Sequence, residues 1–365
     1  MLRTRAAKLG AGLAAAALAI LLVVDVATRN GDVALAPLFA LSPLIASAVL
    51  PAVPTAGFGV TATLSATISV LWNVSASSPQ QVVRVVDVAL VSAAAVVIAA
   101  VRVRRERRFG RVAAIAEVAQ KAILPTLPMH ARRVNVAVRY LSASRDAMVG
   151  GDLYDCYHSR SHTRFLIGDV RGKGIGAVEQ AARVIRAFRQ AAAIQTDLAA
   201  VADDMSSYLE PFFDEEEFVT ALLVDTTEAS RLRIVSAGHP PPVLIRNGQT
   251  VLLDSRPGVP LGLGHGYQER TVTWTPDDRL LLYTDGLSEA RNHNGDFFPL
   301  LDLAPALAEQ PLDSALDRLL NVVRRHVTDG NLSDDMALLL LEHAATEQEY
   351  RPLEREHDWR SSLIR

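Results

Sequence analysis

Phe165-Leu166-Ile167-Gly168-Asp169-Val170-Arg171-Gly172-Lys173-Gly174 reads as a buried strand that ends on a carboxylate and then turns through glycines. The same grammar recurs three times. Asp152 follows Gly150-Gly151, Asp285 follows Leu280-Leu281-Leu282-Tyr283-Thr284 and precedes Gly286, and Asp334-Asp335 open Met336-Ala337-Leu338-Leu339-Leu340-Leu341. Any one of these aspartates would pass for a turn or cap residue. Four of them at the ends of buried strands are different, because unpaired carboxylates are costly to desolvate and converging ones need cations between them. Hard oxygen ligands, with few candidate His or Cys partners, point to Mg²⁺ or Mn²⁺ rather than zinc. Two such ions about 3.5–4 Å apart can activate a bridging water and clamp a phosphoryl group for in-line attack. The spacing alone leaves the reaction open.

Around these acids the sequence has a β texture. Val134, Val136, Val138 and Tyr140 alternate as in a half-buried strand. Further strand-like runs are Arg164–Val170, Phe218–Val224, Leu232–Ser236, Val243–Ile245, Val251–Leu253, Leu280–Thr284 and Ala337–Leu341, with Asn247-Gly248 as a hairpin turn between two of them. Helical patterns cover Ile175–Ile194, Leu198–Leu209 and Leu312–Val327. Many hairpin strands with a few long helices predict an α+β fold of stacked antiparallel sheets covered by helices, not alternating βαβ units. There is no internal repeat and no low-complexity stretch.

The N-terminal third has another texture. Four stretches, about Leu9–Val26, Ala34–Val53, Thr55–Val74 and Val82–Val101, are long and apolar enough to cross a bilayer, which needs roughly 20 residues of helix, so four spans are expected. Arg3, Arg5 and Lys8 ahead of the first would suit a signal peptide, but three further apolar runs favour a membrane anchor. Arg102, Arg104, Arg105, Arg107 and Arg108 follow the fourth run, so the N-terminus and everything after residue 101 are expected in the cytoplasm, with an even number of spans. Pro37, Pro43, Pro51 and Pro54 weaken the second span and its junction with the third, which leaves a re-entrant hairpin as the other reading. Arg84 and Asp87 are read as interfacial side chains that snorkel, with a ligand or proton sensor as the other reading.

Composition agrees with this division. The chain has 365 residues, half of them hydrophobic, which excludes disorder and allows about two domains. Its single cysteine, Cys156, excludes a disulfide scaffold. Residues 1–112 hold 11 of the 37 Lys and Arg but 4 of the 40 acids, so this part carries +7 and the rest −10. An acidic catalytic part argues against nucleic acid as a partner, because phosphate backbones are gripped by clustered Lys and Arg. The expected divisions are a membrane domain over 1–101, a helical linker over 102–127, a catalytic domain over 128–343 and a polar tail over 344–365. In the linker, Phe109, Val112, Ala116, Ala119 and Ile123 form a heptad seam that stops at Pro125. That seam suits either a parallel homodimer or a helix packed on its own catalytic domain.

The ordered set Val149-Gly150-Gly151-Asp152-Leu153-Tyr154-Asp155, Gly168-Asp169-Val170-Arg171-Gly172-Lys173-Gly174, Ala237-Gly238-His239-Pro240-Pro241-Pro242, Pro260-Leu261-Gly262, Tyr283-Thr284-Asp285-Gly286-Leu287-Ser288-Glu289-Ala290 and Asp334-Asp335-Met336 resembles the SpoIIE/RsbU type of metal-dependent protein phosphatase, the PPM class. The resemblance extends over about residues 119–342, including 120–125 (QKAILP), which is similar to the helix preceding this domain in the family. It implies an α–β–β–α sandwich, here preceded by an all-α transmembrane bundle, with a site for two Mn²⁺ or Mg²⁺ ions. By motif position Asp169 would bridge the ions with help from the Val170 carbonyl. Asp152 would bind one ion, and Asp285 and Asp334 the other, with Asp335 as the neighbouring candidate to Asp334. The implied reaction is hydrolysis of phosphoserine or phosphothreonine without a covalent phosphoenzyme, usually on a phosphorylated anti-sigma-factor antagonist of the STAS type, in bacterial signal transduction.

The chain departs from the family pattern at Arg171, where Ser is common, and at Ala337, where Thr is common; neither is a proposed ligand. The phosphate-binding arginine of eukaryotic-type relatives has no obvious counterpart. Arg171 or Lys173 could take part of that role, although a solvent-facing charge is the plainer reading. His239, fixed among prolines, is read as structural, Asp155 as a supporting or turn residue, and Cys156 as a small packed side chain. Glu289 is a candidate regulatory residue and not a ligand, and Asp214-Glu215-Glu216-Glu217 reads as a solvated loop edge. Two rival enzymes fail on sequence. A diguanylate cyclase wants Glu-Phe after Gly150-Gly151-Asp152, where Leu153-Tyr154 stand, and the spacing of Asp152 and Asp155 is wrong for a HAD-type nucleophile motif. The remaining alternative is a phosphatase-like binding module with little turnover.

Overall fold

The computed structural model describes residues 2–28, 36–72, 78–142, 150–214, 216–254, 258–328, 332 and 334–352. Val149, Glu215, the ends of the second and third expected spans (residues 34–35 and 73–74) and tail residues 353–365 lie outside the described residues. The chain divides into two compact units, residues 1–111 and 112–365.

The first unit is helical. It contains α1 (Leu2–Ala27), a 3-10 turn (Ala36–Ala40) leading into α2 (Leu41–Val49), α3 (Ala52–Trp72) and α4 (Ser78–Ile123), whose last residues belong to the second unit. Among the described residues three helices, not the expected four, are long and apolar enough to cross a membrane: Ala7–Ala27, Ala52–Val70 and Pro79–Ile123. The second segment is cut to the shorter apolar helix Ala36–Val49. Pro37 starts it, Pro43 is tolerated in the first turn of α2, and Pro51 follows its end.

That short segment nevertheless runs back alongside α1. Ser42 Oγ donates to the Ala14 carbonyl at 2.9 Å, and the Val49 side chain lies where a Cβ on Gly10 would be. Arg102 donates to the Ser47 and Leu50 carbonyls at 3.2 and 2.9 Å, capping the open end of α2. At the opposite end Ser69 Oγ donates to Asp25 Oδ1 at 2.9 Å. Small residues fill the inside of this unit (Ala14, Ala46, Ala62, Ala66, Ala95), whereas Leu9, Leu13, Ile20, Leu64, Leu90 and Val97 face outward. This inverts the water-soluble pattern and suits helices surrounded by lipid.

The second unit has ten strands among its described residues: β1 (Pro128–Leu141), β2 (Asp152–His158), β3 (Thr163–Val170), β4 (Val219–Asp225), β5 (Arg231–Ala237), β6 (Val243–Arg246), β7 (Gln249–Leu252), β8 (Arg270–Thr273), β9 (Arg279–Tyr283) and β10 (Met336–Pro352). They form two antiparallel five-stranded sheets, ordered β1-β10-β9-β6-β7 and β2-β3-β4-β5-β8. Asn247 and Gly248, at φ 52° and 74°, make the hairpin between β6 and β7.

Strand periodicity assigns the layers. Ala337, Leu339 and Leu341 of β10 point into the core shared with the second sheet. Leu338 and Leu340 join the cluster under α8 (Leu312–His326), which buries Leu312, Ala315, Leu316, Leu319, Leu320 and Val323. On the outer face of the other sheet lie α5 (Ile175–Ile194) and α6 (Leu198–Leu209), the latter capped by Asp197, which accepts the Ala199 N–H. The order is therefore α–β–β–α. Ala116, Ala119 and Ile123 of the linker seam pack with Val178 of α5, while Phe109 stays 71% exposed.

Candidate metal centre

The two sheets bring their acids to one place. Asp152 opens β2 and Asp169 nearly closes β3, and antiparallel pairing sets the two directly opposite each other. From the other sheet, β9 delivers Asp285 into the short helix α7 (Asp285–Ser288), and its neighbour β10 is preceded by Asp334. Carboxylate oxygens of Asp152, Asp169 and Asp285 lie within 4.8 Å of one another. Asp334 joins them in lining a cavity of about 190 Å³, together with Gly150, Val170 and Lys173. A second cavity of about 350 Å³ shares Asp169 and Asp285 and extends along Phe218, Thr220, Gly238 and Pro240.

The turn before Asp152 tolerates only glycine where the strand ends meet. A Cβ on Gly151 would run into the Val170 carbonyl oxygen, and one on Gly286 into the Asp335 carbonyl oxygen. The electrostatics fit a cation site. Burial, followed by the Asp169 charge, pushes Asp152 well above the usual carboxylate range. Burial, then Asp285 and Asp334, raises Asp169 to about 7, and burial followed by Asp334 raises Asp285. Each of these costs is relieved by a divalent cation among all-oxygen donors.

Supporting contacts decide how the acids stand. Thr284 Oγ1 donates to Asp152 Oδ2 at 2.7 Å and accepts the Ala337 N–H at 2.9 Å. Asp335 is placed differently from its neighbour. It is buried, accepting from the Gly150 N–H at 2.7 Å, Tyr140 Oη at 2.8 Å and Ser142 Oγ at 3.1 Å. Gln120 Nε2 donates to Tyr140 Oη at 2.6 Å and to the Gly150 carbonyl at 3.1 Å. Tyr140 and Gln120 thus brace the Gly150-Gly151 turn. Sequence reasoning did not single them out individually, since their partners lie some 20 to 195 residues away.

His239 is buried, with Nε2 donating to the Tyr283 carbonyl and Nδ1 accepting from Thr220, both at 3.0 Å; burial lowers it to about 4, so it stays neutral and ties β4 to β9. Asp155 forms a two-pronged pair with Arg189 away from the cavity. Burial pushes the Cys156 thiol up, out of reactive range. Glu289 stands close enough to raise Asp285 by its charge. Arg171 turns towards the Glu216 carbonyl and the Phe218 ring, whereas Lys173 Nζ donates to Asp334 Oδ1 at 2.8 Å.

Two facing antiparallel sheets between helices, with strand-end carboxylates gathered at one cavity, define the fold class of the PP2C-type phosphatases. The SiaA-PP2C domain of Pseudomonas aeruginosa superposes with a TM-score of 0.55 at 21% identity, covering 66% of this chain and 98% of that one. The RsbU and RsbW domains of Rv1364c from Mycobacterium tuberculosis superpose with a TM-score of 0.54 at 23% identity, covering 61% and 63%. Residues 159–344 match the family of Stage II sporulation protein E, and the chain belongs to this SpoIIE family. Among curated relatives, the phosphoserine phosphatase RsbP of Bacillus subtilis is 26% identical over 211 residues, 56% of this chain and 51% of that protein. The phosphoserine phosphatase RsbU of the same organism is 24% identical over 199 residues, 53% and 59% respectively. The chain thus spans about half the length of the curated relatives it matches.

Proposed function

We propose that the protein is a membrane-anchored, Mn²⁺- or Mg²⁺-dependent protein serine/threonine phosphatase acting on a phosphorylated partner protein of the STAS type. The observation that carries this reading is the gathering of Asp152, Asp169, Asp285 and Asp334, two from each sheet, at one cavity. The donor set is entirely oxygen, so it fits hard divalent cations. Asp152, Asp169, Asp285 and Asp334 would hold two ions, with the Val170 carbonyl beside them. When bound, such ions lower the pKa of water and neutralise phosphoryl oxygens. The chain's own part is positional. Thr284 fixes the rotamer of Asp152, Asp335 and Tyr140 hold the Gly150-Gly151 turn, and His239 holds the strand that delivers Asp285.

The substrate assignment rests on the likeness to RsbP and RsbU, both named phosphoserine phosphatases. Anchoring rests on the three apolar helices and on the outward-facing large side chains of the first unit. The cytoplasmic assignment of the second unit rests on the arginine-rich stretch Arg102–Arg111, and the short α2, which returns the chain to the end of the bundle that holds the start of α1, supports it. The linker seam is read as packed on its own domain, because Ala116, Ala119 and Ile123 already meet Val178.

The test is Mn²⁺-dependent phosphate release by the purified full chain from an aryl phosphate and from a panel of phosphorylated STAS proteins, with Asp169→Asn alongside. Metal-dependent turnover that the variant loses supports the reading. Turnover that persists in Asp169→Asn overturns the assignment of this site, and metal binding with no turnover on any substrate overturns the reading in favour of a binding module.

A further inference from the structure

Four carboxylates line the cavity together with two cations, Arg171 and Lys173, and the one paired with a carboxylate is Lys173. Its Nζ donates to Asp334 Oδ1 at 2.8 Å, with both side chains about two-fifths exposed. Lys173 stands between Gly172 and Gly174, at φ 114° and 89°, conformations that other residues rarely adopt. This Gly-Lys-Gly turn aims the lysine at the acids immediately after Asp169 has left β3. Arg171, two residues earlier, is committed elsewhere, to the Glu216 carbonyl at 2.8 Å and to the face of Phe218. Both cations line the cavity, but of the two it is Lys173 whose charged head is hydrogen-bonded to one of its carboxylates.

We propose that Lys173 is the phosphate-binding cation of this centre, set beside Asp334 so that its ammonium can reach a phosphoryl oxygen. The inference rests on the phosphatase reading above. Two divalent ions against four carboxylates would leave the site formally neutral, and Lys173, paired with one of those carboxylates, tips it to cationic. A phosphate ester dianion needs that excess charge, and a lysine supplies it as a mobile point charge. The ammonium and an ion at Asp334 also compete for the same oxygen, so removing the lysine should tighten metal binding while weakening phosphate binding. A lysine that merely decorated the surface would do neither.

The experiment uses the detergent-solubilised full chain, with Mn²⁺ alone and then inorganic phosphate on the Mn²⁺-loaded protein, both followed by calorimetry. Lys173→Gln is expected to bind Mn²⁺ about tenfold more tightly and phosphate about tenfold more weakly, the worth of one charge-assisted hydrogen bond. Lys173→Arg should keep phosphate binding, and Arg171→Gln should change neither affinity. Phosphate affinity unchanged in Lys173→Gln, lost instead in Arg171→Gln, or absent from the loaded wild type sinks this inference and leaves the metal centre standing. No Mn²⁺ binding by the wild type overturns the phosphatase reading itself, and this inference with it.

Discussion

Thr284 links the two sheets through Asp152: its hydroxyl donates across to the carboxylate at 2.7 Å while accepting the Ala337 N–H of β10 at 2.9 Å. One side chain thus sets the rotamer of a proposed ligand and satisfies a buried backbone donor. Thr284→Val keeps the shape and removes both contacts. It should weaken Mn²⁺ binding by about 10- to 100-fold, as loss of outer support to a ligand generally does. The unpaired Ala337 N–H should also cost about 1–3 kcal/mol of stability. Calorimetric metal titration reads the first effect and thermal unfolding the second; a variant that keeps wild-type metal affinity would show that Asp152 needs no such support.

His239 gives the fold a pH dependence of known sign. Burial lowers it from an ordinary 6.5 to about 4 in the folded state. Between these values the unfolded chain takes up a proton that the folded chain refuses. Stability therefore falls as pH drops through 6.5 towards 4, by about 3 kcal/mol at most. His239→Gln removes this titration. Melting temperatures measured at pH 7 and pH 4.5 should fall further for the wild type than for the variant, and equal falls would contradict the buried neutral state.

Why some of this was legible and some was not follows from what hides a strand. The run 280–283 is apolar and wholly buried, so β9 announces itself, as do β3 and β10. β2 carries no strand signal because Asp152 and Asp155 break its alternation, and only the structure supplies the Thr284 and Arg189 that make two buried acids tolerable. β8, four residues with every other one exposed and paired only to β5, carries too little pattern to notice. The ligand acids stood out through their glycines. Their braces, Tyr140 and Gln120, did not, since a hydrogen bond across the fold leaves no mark on local spacing.

Arg164 and Asp225 test how much one buried pair holds. Both are fully enclosed, joined at 2.8 Å, and Arg164 also donates to the Ala192, Gln195 and Thr196 carbonyls at the end of α5. Arg164→Met would leave Asp225 with the Thr227 N–H and, as its cation, the more distant Arg233, at 3.4 Å, and would orphan those carbonyls. Removing one member of a buried pair costs about 3–5 kcal/mol. Thermal unfolding should show that loss, whereas the double variant with Asp225→Leu should recover part of it, because no charge is then left buried.

The adjacent acids Asp334 and Asp335 should respond oppositely to the same chemical change. Asp334 lines the cavity and meets Lys173, whereas Asp335 spends its oxygens on Gly150, Tyr140 and Ser142. An amide in place of Asp334 surrenders a charged ligand. An amide in place of Asp335 can still accept the Gly150 N–H through its remaining oxygen and loses only the charge assistance. Asp334→Asn is therefore expected to lower the number of Mn²⁺ ions bound per chain. Asp335→Asn should keep that number and give up about 1–2 kcal/mol of stability, the difference between a charged and a neutral acceptor. Equilibrium dialysis with metal analysis counts the ions directly. If Asp335→Asn lost an ion and Asp334→Asn kept both, the pair would have to be reassigned, with Lys173 guarding the structural member and the Gly150 turn resting on a ligand.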